Sequence, residues 1–485
     1  MVNTPNIDAL AKDGILFEKA FAPTPVCSPT RSALITGYYP IRIGVQDHRS
    51  SRVPGYQIHL PSDVKTVPEL FRLAGCRTYN ADKDDYNFVY QRSDLYSVGQ
   101  SQPVIKGKTE AAKSEKLQKP ANTRSEKTVT DRPIDDSAFQ NKNCKGPSGS
   151  ADWRDVPDIK PFFGQMSVAG GKGVAMINTQ LQQLGLEPIK PDAVRVPVQY
   201  PDIPQVRQHL AAHYNSILRT DHQIGETIAR LKRDGRWENT IVFLFSDHGS
   251  DLPRSKEFVY EEGLRVPLFI AGPALNRIVK PGTRRSDIVN LMDVGATSLQ
   301  LAGIAPPSSM DAKDLFDADY QRDYVFSSAD RMSNVIDRVH SVMGPRFHYI
   351  KNYYTDRPLM NWGHREMLSL AAPERSSFLT IRALAERGKL TPAQIAPDIQ
   401  SVPEELYDLQ HGPDEVNNLA TDPASRRTLQ KMRAALQTWL EATDDKGAYP
   451  RSPAAMNEIT HRYPKAWLKS PEFTEQSSRQ YDVRN

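Results

Sequence analysis

The stretch of sequence that decides the fold is residues 22–44, APTPVCSPTRSALITGYYPIRIG. It contains the string Cys-x-Pro-x-Arg between Cys27 and Arg31, followed by Ser-Ala-Leu-x-Thr-Gly. A cysteine with proline and arginine at this spacing occurs often by chance, whereas the same string with its Leu-x-Thr-Gly tail does not. A helix is predicted to begin within residues 28–35, and its first N–H groups would be available to an anion. The pattern therefore indicates that Cys27 lies beside an anion-binding helix end.

Outward from this stretch, the chain alternates between helix and strand patterns. Thr4 is the predicted N-cap of a helix with Pro5 in its first turn, and residues 205–232 have apolar side chains at helical spacing. The apolar run 240–245 (TIVFLF) is typical of a strand buried on both faces. Because this alternation continues to about Gly303, we predict an α/β fold with a mainly parallel sheet between helix layers.

The later part of the chain has a different pattern. Shorter strand signals occur at 324–328, 338–342 and 347–353, and an amphipathic helix signal lies around 429–440. They predict a smaller α+β C-terminal subdomain. The predicted division is a catalytic domain at 1–320, a C-terminal subdomain at 321–445 and a C-terminal tail at 446–485.

Residues 100–149 differ in composition from their surroundings. They are rich in Lys, Glu, Ser, Thr, Gln and Asn and contain few large apolar residues. Such a segment buries too little apolar surface to pack, so we predict a surface insertion. Its lysines are expected to form a solvated face, with polyanion binding as the alternative. These lysines are Lys106, Lys108, Lys113, Lys116 and Lys119.

The overall composition bounds the classes of function. The 485 residues carry 62 basic and 58 acidic side chains, and the net charge of +4 is too small to indicate nucleic-acid binding. No apolar run approaches the roughly 18 residues of a membrane span, and no signal peptide is visible in MVNTPNIDAL. The cysteines, Cys27, Cys76 and Cys144, do not make a disulfide framework. The localisation is therefore left undetermined.

Several polar groups follow predicted strands and are candidates for chemistry. Asp247 and His248 come directly after the run 240–245, and a carboxylate beside an imidazole can hold a metal or act as an acid/base pair. The alternative is an ordinary turn with a packed histidine. Lys83 follows another strand, and Lys256 and Arg265 come later in the chain. Cations that converge from separate loops suit a tetrahedral oxyanion, although each one alone is more often a surface residue.

The string around Cys27 resembles the signature of the type I sulfatases, members of the alkaline-phosphatase-like superfamily. In that family the cysteine is oxidised to Cα-formylglycine, an aldehyde. The run Ser-Asp-His-Gly at 246–249, then Lys256 and the run YEEGLRVPL, looks like the family's second metal-ligand segment. Residues 83–88, KDDYNF, are close to a Lys-Thr-Asp-Tyr-Asn-Phe variant of a bacterial subgroup similar to heparan N-sulfatase. Residues 405–419 also resemble the family's C-terminal segment, which contains Glu-Leu-Tyr-Asp-Leu and then Glu-x-x-Asn-Leu.

The resemblance implies a role for each matching residue. Cys27, as formylglycine, is the nucleophile and a metal ligand, Arg31 orients it, and Asp247 and His248 are metal ligands. The implied substrate-binding residues are Lys83 and Lys256 on the sulfate oxygens, with Lys172 and Arg331 as further contacts and Asp330 beside Arg331. The implied cofactor is one divalent cation, Ca²⁺. The implied partners are a sulfated sugar or glycosaminoglycan and a formylglycine-generating enzyme or anaerobic maturase. Family members are often periplasmic or secreted.

One departure from the family is expected to matter. The family begins with an apolar strand that ends in two adjacent acidic metal ligands, upstream of the Thr-Pro-Asn-Ile-Asp motif that starts here at Thr4. Either this sequence is a truncated reading of a longer gene, which we favour, or it is a pseudo-sulfatase. We expect little activity from the polypeptide as written, and much more once such a segment is restored.

Two other functions stay open at this point. A phosphonate or phosphate monoester hydrolase of the same superfamily would share the pocket. A non-catalytic binder of sulfated glycans would use the cationic pocket without turnover.

Overall fold

The computed structural model describes residues 2–53, 55–98, 152–157, 160–168, 170, 176–394 and 399–473. The predicted insertion and Lys172 lie outside these residues. The helices are α1 (Pro5–Asp13), α2 (Cys27–Thr36), α3 (Val67–Leu73), α4 (Arg92–Leu95), α5 (Ile177–Gln183), α6 (Pro204–Arg233), α7 (Glu261–Leu264), α8 (Asp293–Leu301), α9 (Gly363–Leu368), α10 (Ser377–Glu386), α11 (Arg426–Thr443) and α12 (Pro453–Arg462). The strands are β1 (Gly14–Phe21), β2 (Arg77–Asn80), β3 (Phe162–Gln165), β4 (Val242–Phe245), β5 (Arg265–Ala271), β6 (Thr283–Asn290), β7 (Val325–Met332), β8 (Val335–Met343), β9 (Phe347–Asn352) and β10 (Glu404–Asp408).

The α/β class predicted from the sequence is confirmed, but the pairing in the main sheet is mixed rather than mainly parallel. The strand order is β4-β5-β1-β6. Strand β1 runs parallel to β6 and antiparallel to β5, and β4 is also antiparallel to β5. The connection from β4 to β5 consists of a loop and the one-turn helix α7. It contains no full crossover helix of the kind that usually joins parallel strands.

A second, two-stranded sheet pairs β2 with β3 in parallel. Strand β4 is only partly buried along its length, not fully buried on both faces as its apolar sequence predicts. Among the described strands it pairs with β5 alone, so it lies at an edge of the main sheet. Its side chains Val242 and Leu244 belong to one apolar cluster with Tyr79 of β2 and Phe162 of β3. This cluster joins the two sheets.

Helix α2 begins at Cys27 and ends before Gly37, which has a left-handed φ of 77° and donates its N–H to the carbonyl of Ala33. Glycine takes this conformation without the clash that a Cβ would cause. The predicted helices near Thr4 and at 205–232 are present as α1 and α6. The C-terminal end of α2 is therefore fixed by Gly37.

The C-terminal part contains the predicted α+β structure. Strands β10-β9-β8-β7 form an antiparallel sheet in that order, and α11 packs on it. The Trp439 ring of α11 stacks on Phe326 with centroids 4.9 Å apart, and Tyr39 meets Trp439 edge-on at 5.1 Å. These rings join the two parts of the chain through one core. The proposed domain boundaries at 320 and 445 stay predictions.

Residues 446–473, within the predicted tail, contain α12 and pack against the strands. Ile459 is fully buried with Ile336 and Tyr463, and the Glu458 side chain is fully buried as well. The segment therefore supplies a charged group to the interior. In the described part of the chain, no helix combines the length and apolar character that crossing a bilayer requires.

Candidate active site

Four segments of the chain meet at the N-terminus of α2. They are the first turn of α2 and the segments that follow β2, β3 and β4. Cys27 is the first residue of α2 and is 2% exposed. Polar groups at the carboxyl ends of neighbouring strands are where α/β folds place their ligand sites. The helix predicted to begin within residues 28–35 is present as α2, which begins one residue earlier, at Cys27.

Cys27, Asp247 and His248 lie together in this place. The Cys27 Sγ is 3.1 Å from His248 Nε2, and His248 Nε2 is 3.6 Å from Asp247 Oδ1. His248 Nδ1 lies 2.7 Å from the Gly249 carbonyl oxygen, so Nδ1 carries the hydrogen and donates it there. This tautomer leaves the Nε2 lone pair directed at Cys27 and Asp247. A second-sphere carbonyl that fixes a histidine in this way is typical of metal-ligating histidines.

Arg31 connects all four segments. Its Nε donates to Asp247 Oδ2 at 2.9 Å, its Nη1 donates to the Lys83 carbonyl at 2.9 Å, and its Nη2 is 3.5 Å from Ser167 Oγ after β3. Burial alone would lower the pKa of the Arg31 guanidinium, but the neighbouring Asp247 and Asp85 raise it above its usual value. Arg31 is therefore a fixed cation between the metal-ligand loop and the Lys83 segment.

Lys83 reaches the same place from the end of β2. Its Nζ is 2.5 Å from Asp85 Oδ2, and the other oxygen of Asp85 is 2.5 Å from Arg52 Nη2. The side chains of Arg52 and Asp85 are 3% and 6% exposed, whereas Lys83 is 25% exposed. Lys83 thus forms the accessible end of a buried ion network. Asp85 and Arg52 are not among the candidates predicted from the sequence.

Lys256 lies in the loop that follows β4. Its N–H donates to the Ser250 carbonyl, and the next residue, Glu257, donates its N–H to the Pro25 carbonyl at 2.8 Å. Arg365 Nη1 donates to the Lys256 carbonyl at 2.7 Å. These bonds hold the Lys256 backbone against the segment that precedes Cys27. Arg365 is 109 residues from Lys256 in the sequence, and no local pattern indicates that the two are in contact.

The loop comes close to α7 at Gly249, whose N–H donates to the Gly263 carbonyl at 2.9 Å. A Cβ at residue 249 would lie 1.8 Å from the Glu262 carbonyl oxygen. Only glycine permits this approach, which accounts for the Gly in Asp-His-Gly.

Of the three other candidates, Arg265 and Arg331 have partners outside the Cys27 cluster, and Lys172 is outside the described residues. Arg265 is an exposed residue whose Nη1 pairs with Glu261 at 2.8 Å, so it does not join the site. Arg331 is 2% exposed, and its described partners are Asp47, at 3.4 Å, and the Ser333 carbonyl. Its substrate contact stays a prediction. Lys172 cannot be located, because it lies outside the described residues.

A second group of possible ligands lies apart from Cys27. Asp330, His340 and Asp445 are buried, with ligand atoms within 4.8 Å of one another. His340 Nε2 is 3.1 Å from Asp330 Oδ1, and Arg338 Nη2 donates to Asp445 Oδ2 at 2.6 Å. Because a ring nitrogen of His340 and the guanidinium of Arg338 already contact the two carboxylates, we interpret the group as a buried polar network that fastens residues 444–447 to β7 and β8.

Backbone strain is concentrated around the site. Eight non-glycine residues of the described chain have positive φ angles. Five of them lie in the segments around Cys27 and Lys83 or in a segment that contacts these. They are Arg49, Ser51, Asp85, Glu257 and Ser333. Arg49 donates its N–H to Ser28 Oγ, and Ser333 Oγ lies 3.2 Å from Glu257 Oε1. Residues held in sparsely populated conformations cluster at functional sites, because the surrounding contacts must enforce them.

The described donors fit a divalent cation in part. Asp247 offers a carboxylate oxygen and His248 an imidazole nitrogen, and together with the Cys27 Sγ they lie within 4.8 Å of one another. Ca²⁺ takes six or more oxygen ligands, so these donors are fewer than a calcium shell holds. Imidazole nitrogen is also a ligand more typical of transition metals and zinc. We therefore expect these residues alone to bind calcium weakly.

Comparison with known families now decides the assignment. A family model described as Sulfatase matches residues 1–304, which is more than half of the 485 residues. The chain belongs to the sulfatase family. Sulfatases are sulfuric ester hydrolases that use formylglycine and a divalent metal. A second family model, N-sulphoglucosamine sulphohydrolase, C-terminal, matches residues 254–355 of this sulfatase. The resemblance that the sequence suggested is thereby confirmed.

Named relatives agree with this family. An ulvan-active sulfatase of Formosa agariphila is 27% identical, in an alignment that covers 93% of this chain and 73% of the relative. The N-sulphoglucosamine sulphohydrolase of Homo sapiens is 24% identical, in an alignment that covers 92% of this chain and 86% of the relative. The structure of BT4656 in complex with D-glucosamine-2-N,6-O-disulfate covers 92% of this chain and 94% of its own, with a TM-score of 0.55 and 17% identity. That last likeness supports the sulfatase fold.

Proposed function

We propose that this sulfatase hydrolyses the sulfate esters or the N-sulfate of a sulfated sugar or glycosaminoglycan fragment, with a formylglycine made from Cys27 as nucleophile. The observation that carries the proposal is the meeting of the Cys27, Asp247 and His248 donor atoms within 4.8 Å at the N-terminus of α2. A cysteine, a carboxylate and an imidazole from chain positions more than 200 residues apart come together there. Arg31 and Lys83 border the same place, which makes it suited to an anionic sulfuryl group.

In this proposal Asp247 and His248 hold the divalent cation, for which we propose Ca²⁺, and the bound cation would make a hydroxyl on residue 27 more acidic. The Cys27 Sγ stands where the oxygen atoms of formylglycine would be. The N–H groups at the start of α2 and the Arg31 guanidinium favour negative charge at that position. Arg31 holds Asp247 and the Lys83 segment in fixed relation to residue 27.

The lysines have separate tasks. Lys83 binds a sulfate oxygen from the β2 side, and Lys256 binds from the β4 side near the leaving oxygen. Negative charge grows on the sulfuryl and leaving oxygens as the bond between sulfur and the leaving oxygen breaks. Fixed cations at those positions stabilise the transition state without rearrangement, and such a donor is worth about 3 kcal/mol in comparable sites.

The substrate class and the partners are inferred from the relatives. Their names cite ulvan and N-sulphoglucosamine, both sulfated carbohydrates, which supports a sulfated sugar as substrate. Because the reactive residue is made from a cysteine, we also propose a formylglycine-generating enzyme or an anaerobic maturase as a transient partner that acts on residues 27–31.

Steady-state kinetics tests this function. The protein, produced together with a formylglycine-generating enzyme and assayed with Ca²⁺, is offered an aryl sulfate, an aryl phosphonate, and O-sulfated and N-sulfated glucosamine. We expect sulfate release from the sulfated substrates to exceed turnover of the phosphonate. Lys256→Ala should lower kcat by about 100-fold or more, because it removes a donor to the transition state.

Arg265→Ala is the matched control, because it removes an exposed cation of the next strand and should change kcat less than about twofold. A preference for the phosphonate would reassign the enzyme to phosphonate hydrolysis. Binding of sulfated sugar without turnover by a protein that carries formylglycine would make it a glycan binder.

A further inference from the structure

The carboxylate of Asp85 lies at the centre of an ion network behind the site. Each of its two oxygens contacts one cation: Oδ2 is 2.5 Å from Lys83 Nζ and Oδ1 is 2.5 Å from Arg52 Nη2. Burial by itself would raise the pKa of Asp85, but Lys83 and Arg52 together lower it far below its usual range. Asp85 is therefore a fixed anion between two cations.

The network is anchored on the side away from Lys83. The Arg52 side chain is 3% exposed, and its backbone N–H donates to Glu458 Oε1 at 2.7 Å. Glu458 belongs to α12 and is fully buried. A few residues earlier, the Arg49 N–H donates to Ser28 Oγ in the first turn of α2. The segment 49–52 is thus fastened both to α12 and to the residue that follows Cys27.

The conformation of Asp85 shows that its surroundings enforce its position. Its φ is 59°, in the left-handed region that non-glycine residues rarely adopt. Such a conformation costs of order 1–3 kcal/mol and persists where other contacts over-determine it. At Asp85 these contacts are the two ion pairs, which hold its carboxylate between Lys83 and Arg52.

We propose that Asp85 is a positioning residue that holds the Lys83 ammonium ready for the sulfate. The inference rests on the proposed function, in which Lys83 binds a sulfate oxygen. Lysine has four rotatable bonds, and fixing it on a ligand loses rotamer entropy each time the site fills. With the Lys83 carbonyl held by Arg31 and its Nζ held by Asp85, that ordering is present before the substrate arrives. Arg52 keeps Asp85 in place, and the ammonium has three N–H donors, so Lys83 can donate to a sulfate oxygen while it stays paired with Asp85.

A double-mutant cycle tests this inference. The four proteins are wild type, Asp85→Asn, Lys83→Ala and the double variant, each compared by kcat/KM on the same aryl sulfate and by free energy of unfolding. Asparagine keeps the shape of aspartate and tolerates the left-handed conformation, so the first variant removes the charge alone. We expect Asp85→Asn to lower kcat/KM about 30-fold or more when Lys83 is present, and less than about threefold when residue 83 is alanine.

A purely structural role gives a different result, because it would lower kcat/KM by the same factor in both backgrounds. That outcome would overturn the inference. Asp84→Asn is the matched control: Asp84 is a neighbouring buried carboxylate, but it pairs with Arg92 at 3.0 Å. Asp84→Asn should change kcat/KM by the same factor whether residue 83 is lysine or alanine.

Three further outcomes distinguish failure of this inference from misfolding and from failure of the proposed function. If Asp85→Asn yields no folded protein, Asp85→Glu replaces it in the same cycle. The loss of kcat/KM that Asp85→Glu causes should again be smaller when residue 83 is alanine. If Lys83→Ala leaves kcat/KM unchanged, the role of Lys83 in the proposed function fails and this inference fails with it. If Lys83→Ala strongly lowers kcat/KM but Asp85→Asn causes the same loss in both backgrounds, the inference about Asp85 is overturned and the role of Lys83 in the proposed function stands.

Discussion

Cys27→Ser is expected to lower the turnover number by at least about 10⁴-fold, because loss of a nucleophile removes most of the catalytic advantage of an enzyme. A serine hydroxyl can attack the sulfuryl group, but the resulting ester has no second hydroxyl on the same carbon that could expel sulfate. The variant should therefore release at most one equivalent of alcohol per protein and remain esterified at residue 27. Rapid-quench kinetics with an aryl sulfate and intact-protein mass measurement check both expectations.

Cys76→Ser is the matched control for this change. Cys76 is half-buried ahead of β2, and burial raises the pKa of its thiol, so it is not an activated group. Its replacement should leave turnover within about twofold of wild type. Full activity in Cys27→Ser would contradict the assignment of residue 27 as the nucleophile.

Asp247→Asn is expected to have the second-largest effect, a loss of about 100- to 1000-fold in kcat/KM. The change removes a charged ligand for the cation and also removes the partner of Arg31, whose Nε lies 2.9 Å from Asp247 Oδ2. A carboxamide binds hard cations more weakly than a carboxylate does. The Ca²⁺ concentration that gives half-maximal activity should therefore rise, and a metal titration of activity measures it.

The control for this prediction removes a similar ion pair elsewhere. Asp311 pairs with Arg42 at 2.9 Å, with side-chain exposures of 12% and 35%. Asp311→Asn should destabilise the fold by about 1–3 kcal/mol and leave the Ca²⁺ requirement unchanged. If both variants lose the same activity, Asp247 acts through stability and is not a metal ligand.

The parts of the site that the sequence predicted are those with local signals. Cys27 begins a helix because a Pro-containing first turn and Gly37 define its two ends. Asp247 and His248 follow an apolar run, and a run of that length bounded by polar residues predicts a strand and its end. Lys83 follows β2 for the same reason. Each of these signals depends on residues that are close together in the sequence, and the elements that they predict are present in the structure.

The parts that sequence did not predict depend on contacts between distant segments. Arg52 and Glu458 are 406 residues apart, and no local pattern connects them. Asp85 lies within the motif KDDYNF, and a carboxylate two residues from a candidate sulfate-binding lysine is a signal that could have identified it. The direction of β5 depends on whether a helix packs on the sheet between β4 and β5, and the burial of β4 depends on its neighbours. Neither is encoded in the apolar pattern of the strand itself.

Mass spectrometry of the tryptic peptide that contains residues 20–31 tests the central claim most directly. The protein is produced in a host with a formylglycine-generating enzyme, beside a sulfatase whose modification is established under the same conditions. We expect an aldehyde at residue 27 in a large share of the molecules, detectable by its mass and by capture with a hydrazide. An intact thiol at Cys27 in a preparation that hydrolyses aryl sulfates would contradict it.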